Sequence, residues 1–567
     1  MGDLMNIDVR QNGFSLFSDD VSFEFYSKEV PCENNGIYTL DTIGEIPAPE
    51  ILKGDRILLP IDEGVALKAE EAYDGGDFDM DNIKAYFHSR AGSMCMIIVE
   101  RQNKFLLIAL KNGADAYYTA VKRNGIYKLG INCNINDTVI YGVFDSLISA
   151  CKCYRNSRGK VRTLNEKLEN NPQIKKLIGG GFFWVFGNHY DEVMYATDDT
   201  DISPFVGADM LNVAEELYEN GVSKALFGIF FEGDSYLTEQ LYKKYGYICT
   251  QYDNYNDVWN PELLKKVPQN RAKNCDYTKR RMKDYPKGIR ILKDKSMSPA
   301  WGVKGYDGEF YRQNSLCPIV AVDRIKEEIP EILAKFPYYK GRFIDVYGGN
   351  LADCYSEEHP VTREECVGVK NDAFKALEEM GLIPATEDGF DGIIDHLVYT
   401  EGLHSPDCFR FDNCGRNQTH IHNAEQTKYL GLYMMNPECR VPLWQMVYHD
   451  CLITLPYWGD SLAATPDFTI RKMQFACLYG CAPLFSFTVG NFPVLKETII
   501  NAYKKVTEIH GKIATLPMTD FEIITEDYCL QRSVFGNKYE VIVNFSDKNY
   551  IYNGETILPE AIVFKKR

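Results

Sequence analysis

The 567-residue chain has no uninterrupted apolar run approaching the ~18 residues that a membrane-spanning helix requires. Its densest apolar stretch, Lys176 to Gly187 (KLIGGGFFWVFG), stops well short. Positive charge is also scarce, with 62 Lys+Arg against 80 Asp+Glu and a net charge of −18. Such a surface repels phosphate backbones and anionic lipids, which argues against nucleic-acid and membrane partners and leaves a neutral or cationic small molecule as the expected ligand. The first residues, MGDLMNIDVRQNGFSLF, hold acids where an export signal needs a basic stretch and an apolar run. The 17 cysteines are odd in number, scattered and without a CxxC pair. Free, buried thiols and a cytoplasmic protein are the expectation. There is no internal repeat, P-loop, HExxH or nucleophile elbow, so three common catalytic plans are excluded at the outset.

Three textures follow one another along the chain. Up to about residue 150, β-like runs such as SMCMIIVERQ (93–102), KFLLIALKN (104–112) and DTVIYGVF (137–144) are separated by turn residues, which predicts an antiparallel β-sandwich over 1–155. From about 160, β-like runs alternate with helical patterns, as in GRFIDVYGG (341–349), VTREECVGVKNDAFKALEEMG (361–381) and LIPATEDG (382–389). That rhythm predicts parallel βαβ units closing into a (β/α)8 TIM-type barrel over 156–512. A doubly wound sheet is the alternative, but Gly179-Gly-Gly181 lies in an apolar run rather than in a phosphate-binding GxGxxG. β texture returns from 513 to 567, predicting a small C-terminal β domain of sandwich type.

In a parallel barrel, chemistry collects where strands end and loops begin. Polar residues after apolar runs include Trp184 with Asn188, Asp253-Asn-Tyr255-Asn-Asp257, Tyr448-His449-Asp450 and Tyr457-Trp458-Gly-Asp460. Two carboxylates stand out. Asp345 lies inside Arg342-Phe-Ile-Asp-Val-Tyr347, where charge is costly unless it faces a polar site, and Glu387 ends Leu382-Ile-Pro-Ala-Thr386 in the same way. A carboxyl pair about 5 Å apart is what a retaining glycosidase uses, one attacking the anomeric carbon and the other protonating the leaving oxygen. A buried acid held by backbone or arginine is the plainer reading of either residue alone; two on successive strands favour a site. Aromatic and acidic residues in the Tyr252–Asp257 and Tyr457–Asp460 loops suit the apolar faces and hydroxyls of a pyranose. Weaker patterns are His420-Ile-His422, which has no third metal ligand at a recognisable spacing, and the Cys151/Cys153 and Cys477/Cys481 pairs, read as inert thiols. Asp253 to Asp257 has the acid spacing that opens a calcium loop, but Val258 and Leu264 stand where its glycine and glutamate belong.

Phe343-Ile-Asp345-Val-Tyr-Gly-Gly-Asn350, followed by Pro384-Ala-Thr-Glu387-Asp-Gly389, resembles the catalytic core of glycoside hydrolase families 101 and 129, the endo- and exo-acting α-N-acetylgalactosaminidases. Thr163–Lys167, Tyr252–Tyr255, Val441–Trp444 leading to Val447–Asp450, Tyr479-Gly480 before Pro483-Leu484, and Val541–Ser546 extend the resemblance over about 160–546. It lies nearer the shorter, intracellular family 129. The resemblance implies Asp345 as nucleophile and Glu387 as acid/base, with Trp184, Asp253, Tyr255, Asp257, His449, Asp450, Trp458 and Asp460 around the sugar. It implies no cofactor beyond a structural calcium ion, and a small glycan or glycopeptide as substrate. An α-galactosidase or α-glucosidase of the same mechanism, or a non-catalytic carbohydrate-binding protein on this scaffold, are the alternatives.

Overall fold

The structure is a computed structural model that describes all residues except 1–4, 77, 90, 188–207, 231–234, 268–275, 350, 407–408, 411–419 and 457–459. Among the described residues no helix is long and apolar enough to cross a membrane.

Antiparallel sheets come first. Asn6–Arg10, Gly13–Ser18 and Val21–Phe25 form a three-stranded sheet that faces a nine-stranded one, with Phe14 and Phe25 set edge-on against Tyr141 of the larger sheet. The long strand Ile126–Phe144 pairs with Ile37–Ile46, Lys104–Leu110 and Ala116–Arg123, and its register with Ile37–Ile46 shifts between Cys133 and Asp137. The Asp137 carboxylate fixes that irregularity by accepting the N–H groups of Asn112 and Gly113 at 3.1 and 2.7 Å. Helix Leu147–Ser157 follows, capped by Ser146, and the expected 155/156 limit falls inside it. Helix Phe492–Ile513 likewise contains the 512/513 limit.

Eight parallel strands make up the central unit: β1 (Gly181–Phe186), β2 (Ala225–Ile229), β3 (Ile248–Asp253), β4 (Tyr339–Ile344), β5 (Ile383–Gly389), β6 (Tyr399–Leu403), β7 (Ile453–Leu455) and β8 (Leu484–Thr488). They pair in chain order from β1 to β7, and β8 pairs with β1. Between β7 and β8 the ring is bridged by the Ala482 N–H donating to the Thr454 carbonyl at 3.1 Å, so the barrel is nearly closed. A doubly wound sheet would instead reverse its strand order at a switch point. Gly179 holds φ +70° and a Cβ there would stand 3.0 Å from Gly511 Cα, so the glycine run serves close packing of the last barrel helix.

Alternation along the strands separates two apolar layers. Trp184, Leu226, Tyr252, Phe343, Ala385, Tyr399, Leu455 and Leu484 fill the barrel interior. Phe183, Phe227, Cys249, Ile344 and Phe485 point outward to the helices. Burying each large side chain contributes about 1.5–3 kcal/mol, and the layers fix which strand positions face the interior. Helix Arg363–Glu379, which returns the chain from β4 to β5, opens on a capping box between Thr362 and Glu365. After the barrel, Met518–Ile523, Leu530–Phe535, Tyr539–Asn544 and Ile562–Lys566 form a four-stranded antiparallel sheet beside the hairpin Tyr550–Tyr552/Glu555–Ile557.

Candidate active site

The interior positions of β3 to β6 step upward two residues at a time. Tyr252 pairs with Phe343, Phe343 with Ala385 and Ala385 with Tyr399, which makes one layer. Two residues further along each strand stand Asn254, Asp345, Glu387 and Glu401, with Glu387 directly opposite Glu401. Four polar side chains on four adjacent strands therefore face one another at the carboxyl-terminal mouth.

The Asn254 amide ties this ring together. Its Nδ2 donates to Asp345 Oδ2 at 3.1 Å and to Asp257 Oδ2 at 2.9 Å, while its Oδ1 accepts the N–H groups of Asn256 and Asp257 at 2.8 Å. Asn256 Nδ2 donates to Asp257 Oδ1 at 2.8 Å. Asp345 is half-buried, whereas Glu387 and Glu401 are buried. The Val346 N–H donates to Glu387 Oε2 at 3.2 Å, linking the two acids through backbone.

Backbone conformation beside both acids is unusual. Val346 and Asp388, the residues after Asp345 and Glu387, hold φ +47° and +57°. For β-branched Val346 this left-handed region is strained, at a cost of about 1–3 kcal/mol. The surroundings enforce it: Gly348 N–H donates to Thr386 Oγ1 at 2.9 Å, Thr386 Oγ1 donates to the Ile344 carbonyl at 2.7 Å, and Asp388 is ion-paired with Arg410 at 2.8 Å. A Cβ on Gly348 would lie 2.5 Å from the Glu387 carbonyl oxygen, so only glycine allows these loops to approach so closely.

Electrostatics centre on Asp345. Burial, together with the neighbouring charge of Asp345, pushes the Asp257 carboxyl up to about 6. Burial pushes Glu401 up to about 8; the Trp184 indole N–H, donating to both its oxygens at 2.9 and 3.1 Å, opposes this and the charge of Asp345 adds to it. Buried carboxyls raised in this way mark candidate functional sites.

The remaining residues expected at the site divide sharply. Trp184 lies inside the barrel, buried beneath Glu401. Asp257 is at the mouth. Asp460 follows β7 and is buried against the Lys472 ammonium; it lines a cavity of about 50 Å³ with Asp62, Arg410, Leu455 and Lys472. Trp458 and Asn188 lie outside the described residues. Asp253 has the opposite parity to Asn254 and is fully buried in an ion pair with Arg342, with Arg280 3.7 Å away. Burial pushes its carboxyl up, and Arg342, Arg280 and Arg281 more than reverse this, holding it below its ordinary value. It braces β3 against β4 and does not face the mouth. Tyr255 is buried beneath the Arg281 guanidinium, 4.6 Å from the ring centroid, and also faces away. His449 and Asp450 precede β7 and so lie at the amino-terminal end of the barrel, opposite the acids. There His449 bonds the Leu516 carbonyl at 2.7 Å and packs on Phe535, and Asp450 pairs with Arg155 at 2.7 Å.

Two residues of the mouth escaped the sequence. Glu401 follows no long apolar run, but the spacing of Tyr399 and Glu401 repeats that of Ala385 and Glu387. Asp62 comes from the N-terminal sheets, its N–H donating to the His404 carbonyl at 2.7 Å just beyond β6; burial and Glu63 push its carboxyl up. Nothing local marks it.

A calcium ion needs six to eight oxygen ligands. At Asn254–Asp257 the carboxylate oxygens already accept amide hydrogens, and among the described residues no group of three carboxylates lies close enough to share an ion. Among the described residues, the side chains of the mouth do not form a carboxylate shell for calcium.

Acids at the carboxyl ends of adjacent barrel strands are the layout of a barrel glycosidase. A family model described as glycosyl hydrolases related to GH101 family, GH129, matches residues 413–534, the stretch that carries β7 and β8. The α-N-acetylgalactosaminidase NagBb from Bifidobacterium bifidum, ligand-free, superposes with a TM-score of 0.65 at 17% identity, covering 95% of this chain and 89% of that one. Its GalNAc complex gives 0.63 at 18%, covering 95% of this chain and 90% of that one. A GH31 dextranase from Flavobacterium johnsoniae superposes at 0.51 with 9% identity, over 99% of this chain and 71% of that one. No curated protein matches the sequence. The family match and the fold together support a glycoside hydrolase, and the chain resembles family 129.

Proposed function

We propose that the protein is a retaining, exo-acting α-glycosidase that removes a terminal α-linked N-acetylgalactosamine from a small glycan or glycopeptide in the cytoplasm. The observation that carries this reading is the placement of Asp345 and Glu387 in one interior layer, on adjacent strands, at the barrel's carboxyl end.

Asp345 attacks the anomeric carbon while Glu387 protonates the departing oxygen; a covalent glycosyl-Asp345 ester forms and the aglycone leaves. Glu387, now ionised, takes a proton from water, which attacks the same carbon, breaks the ester and regenerates both residues. Asn254 holds Asp345 in line through its amide. Asp257 and Glu401, protonated below about 6 and about 8, are placed to donate to sugar hydroxyls. The choice of sugar follows the resemblance to family 129.

Aryl α-glycosides with and without a 2-acetamido group, followed by proton NMR of the first-formed sugar, test the reading. Fastest turnover of the N-acetylgalactosaminide with the α-anomer released first is expected. Initial release of the β-anomer would exclude double displacement. A preference for a sugar lacking the acetamido group would move the protein to the α-galactosidase or α-glucosidase alternative.

A further inference from the structure

On the same face of the barrel, three ligand atoms converge without sharing in the chemistry above. Cys317 caps the N-terminus of helix Pro318–Lys335, which leads into β4. Cys354 and His359 belong to the segment between Asp345 and helix Arg363–Glu379. All three residues are buried, and their Sγ, Sγ and imidazole nitrogen atoms lie within 4.8 Å of one another.

The geometry is that of a coordination shell. Cys354 Sγ stands 3.5 Å from His359 Nδ1. Bonds of about 2.3 Å to sulfur and 2.05 Å to nitrogen at the tetrahedral angle separate the two ligand atoms by about 3.6 Å. The other imidazole nitrogen, Nε2, bonds the Lys287 carbonyl at 2.7 Å. Nε2 therefore carries the proton and Nδ1 presents its lone pair to the sulfur, the orientation that a carbonyl partner imposes on a metal-bound histidine. The Ile291 N–H donates to Cys354 Sγ at 3.4 Å, and Cys317 Sγ, at the helix N-terminus, donates to the His359 carbonyl at 3.5 Å. Cys354 and Val361 exchange backbone hydrogen bonds at 2.7 and 3.2 Å, folding the segment into a tight loop around the histidine.

A second cluster, His88, Cys95 and Asp391, offers a contrast. The Asp391 carboxylate already accepts from Tyr154 and His88 and faces Arg158 at 3.4 Å, so its charge is compensated by protein. The first cluster holds no carboxylate, and the cation whose charge acts on it is Arg290, at Cys317.

We propose that Cys317, Cys354 and His359 bind a zinc ion, with water completing the tetrahedron, and that the ion fastens the segment following Asp345 to the helix that leads into β4. The two thiols lose their protons to solvent as the metal enters. The role is structural and is independent of the sugar the enzyme takes.

The test uses the full-length protein, prepared with zinc and dialysed, and measures bound metal by plasma mass spectrometry. About one zinc per chain is expected. In Cys354→Ser and His359→Gln this falls several-fold. Removing zinc with phenanthroline lowers the thermal midpoint by roughly 5 °C, and added zinc restores it. Cobalt added to the metal-free wild-type protein gives the visible bands of a tetrahedral site with thiolate charge transfer, a readout that depends on no variant. A metal-free wild-type protein that takes up neither zinc nor cobalt overturns the proposal. So does a thiol count that falls short by two with no metal bound, which would mean a Cys317–Cys354 disulfide.

Discussion

At the amino-terminal end of the barrel, Lys167 donates to the carbonyls of Ile394, Leu397 and Cys451 at 2.6–2.7 Å, Arg155 pairs with Asp450, and Arg162 grips Glu378. At the carboxyl-terminal end, Asp345, Glu387, Glu401 and Asp257 crowd together with an asparagine amide and an indole as donors. Charge at the first end is matched by protein and holds loops together. At the second, burial and the nearby charge of Asp345 raise the carboxyls of Asp257 and Glu401, which suits a site where a cationic transition state forms. Substitutions at the two ends should therefore separate activity from stability.

Asp345→Asn and Glu387→Ala should do most damage. The first is expected to lower kcat/KM at least about 10³-fold and the second about 10²–10⁴-fold, with thermal midpoints within a few degrees of wild type. Azide should restore hydrolysis of an activated aryl α-glycoside by Glu387→Ala; absent rescue together with near-wild-type activity would remove Glu387 from its role. At the other end, Lys167→Met strands three buried carbonyls and should cost about 3 kcal/mol in urea unfolding while kcat/KM stays within about twofold. A large loss of activity in a folded Lys167→Met protein would erase the contrast between the ends.

A subtler effect is expected at Glu401. Its carboxyl is held up at about 8 in the folded protein, so the folded state binds the extra proton and stability falls as pH rises from about 4.5 to about 8. Glu401→Gln should flatten that part of the profile of midpoint against pH; an unchanged slope would mean that Glu401 does not titrate there. Asp257, held at about 6, contributes a smaller total fall in stability, between about pH 4 and 6, in both proteins. Asp450→Asn should do least, about 1 kcal/mol of stability with little change in turnover, because its charge serves Arg155.

Much of this was legible in the sequence. The alternation of β-like and helical stretches gave the barrel, and the apolar runs around Asp345 and Glu387 marked both acids, because a charge inside such a run needs a polar site to face. The failures have three physical causes. A parallel strand buried on both faces reads as a continuous apolar run, so its parity is hidden. Asp253 is expected around the sugar, but of this pair only Asn254 shares the interior parity of Tyr252. β7 and β8 are short, and without them His449 and Asp450 looked like residues after a strand when they precede one. Asp62 reaches the mouth from more than 280 residues away in sequence, a contact that no local pattern encodes.

The central claim is that Asp345 carries the sugar. Incubating the protein with a fluorinated α-glycosyl fluoride that forms the ester faster than it hydrolyses, then sequencing the modified peptide by mass spectrometry, tests it directly. A single sugar on the Asp345 carboxylate is the expected result; a sugar on Glu387, Glu401 or Asp257 would contradict it.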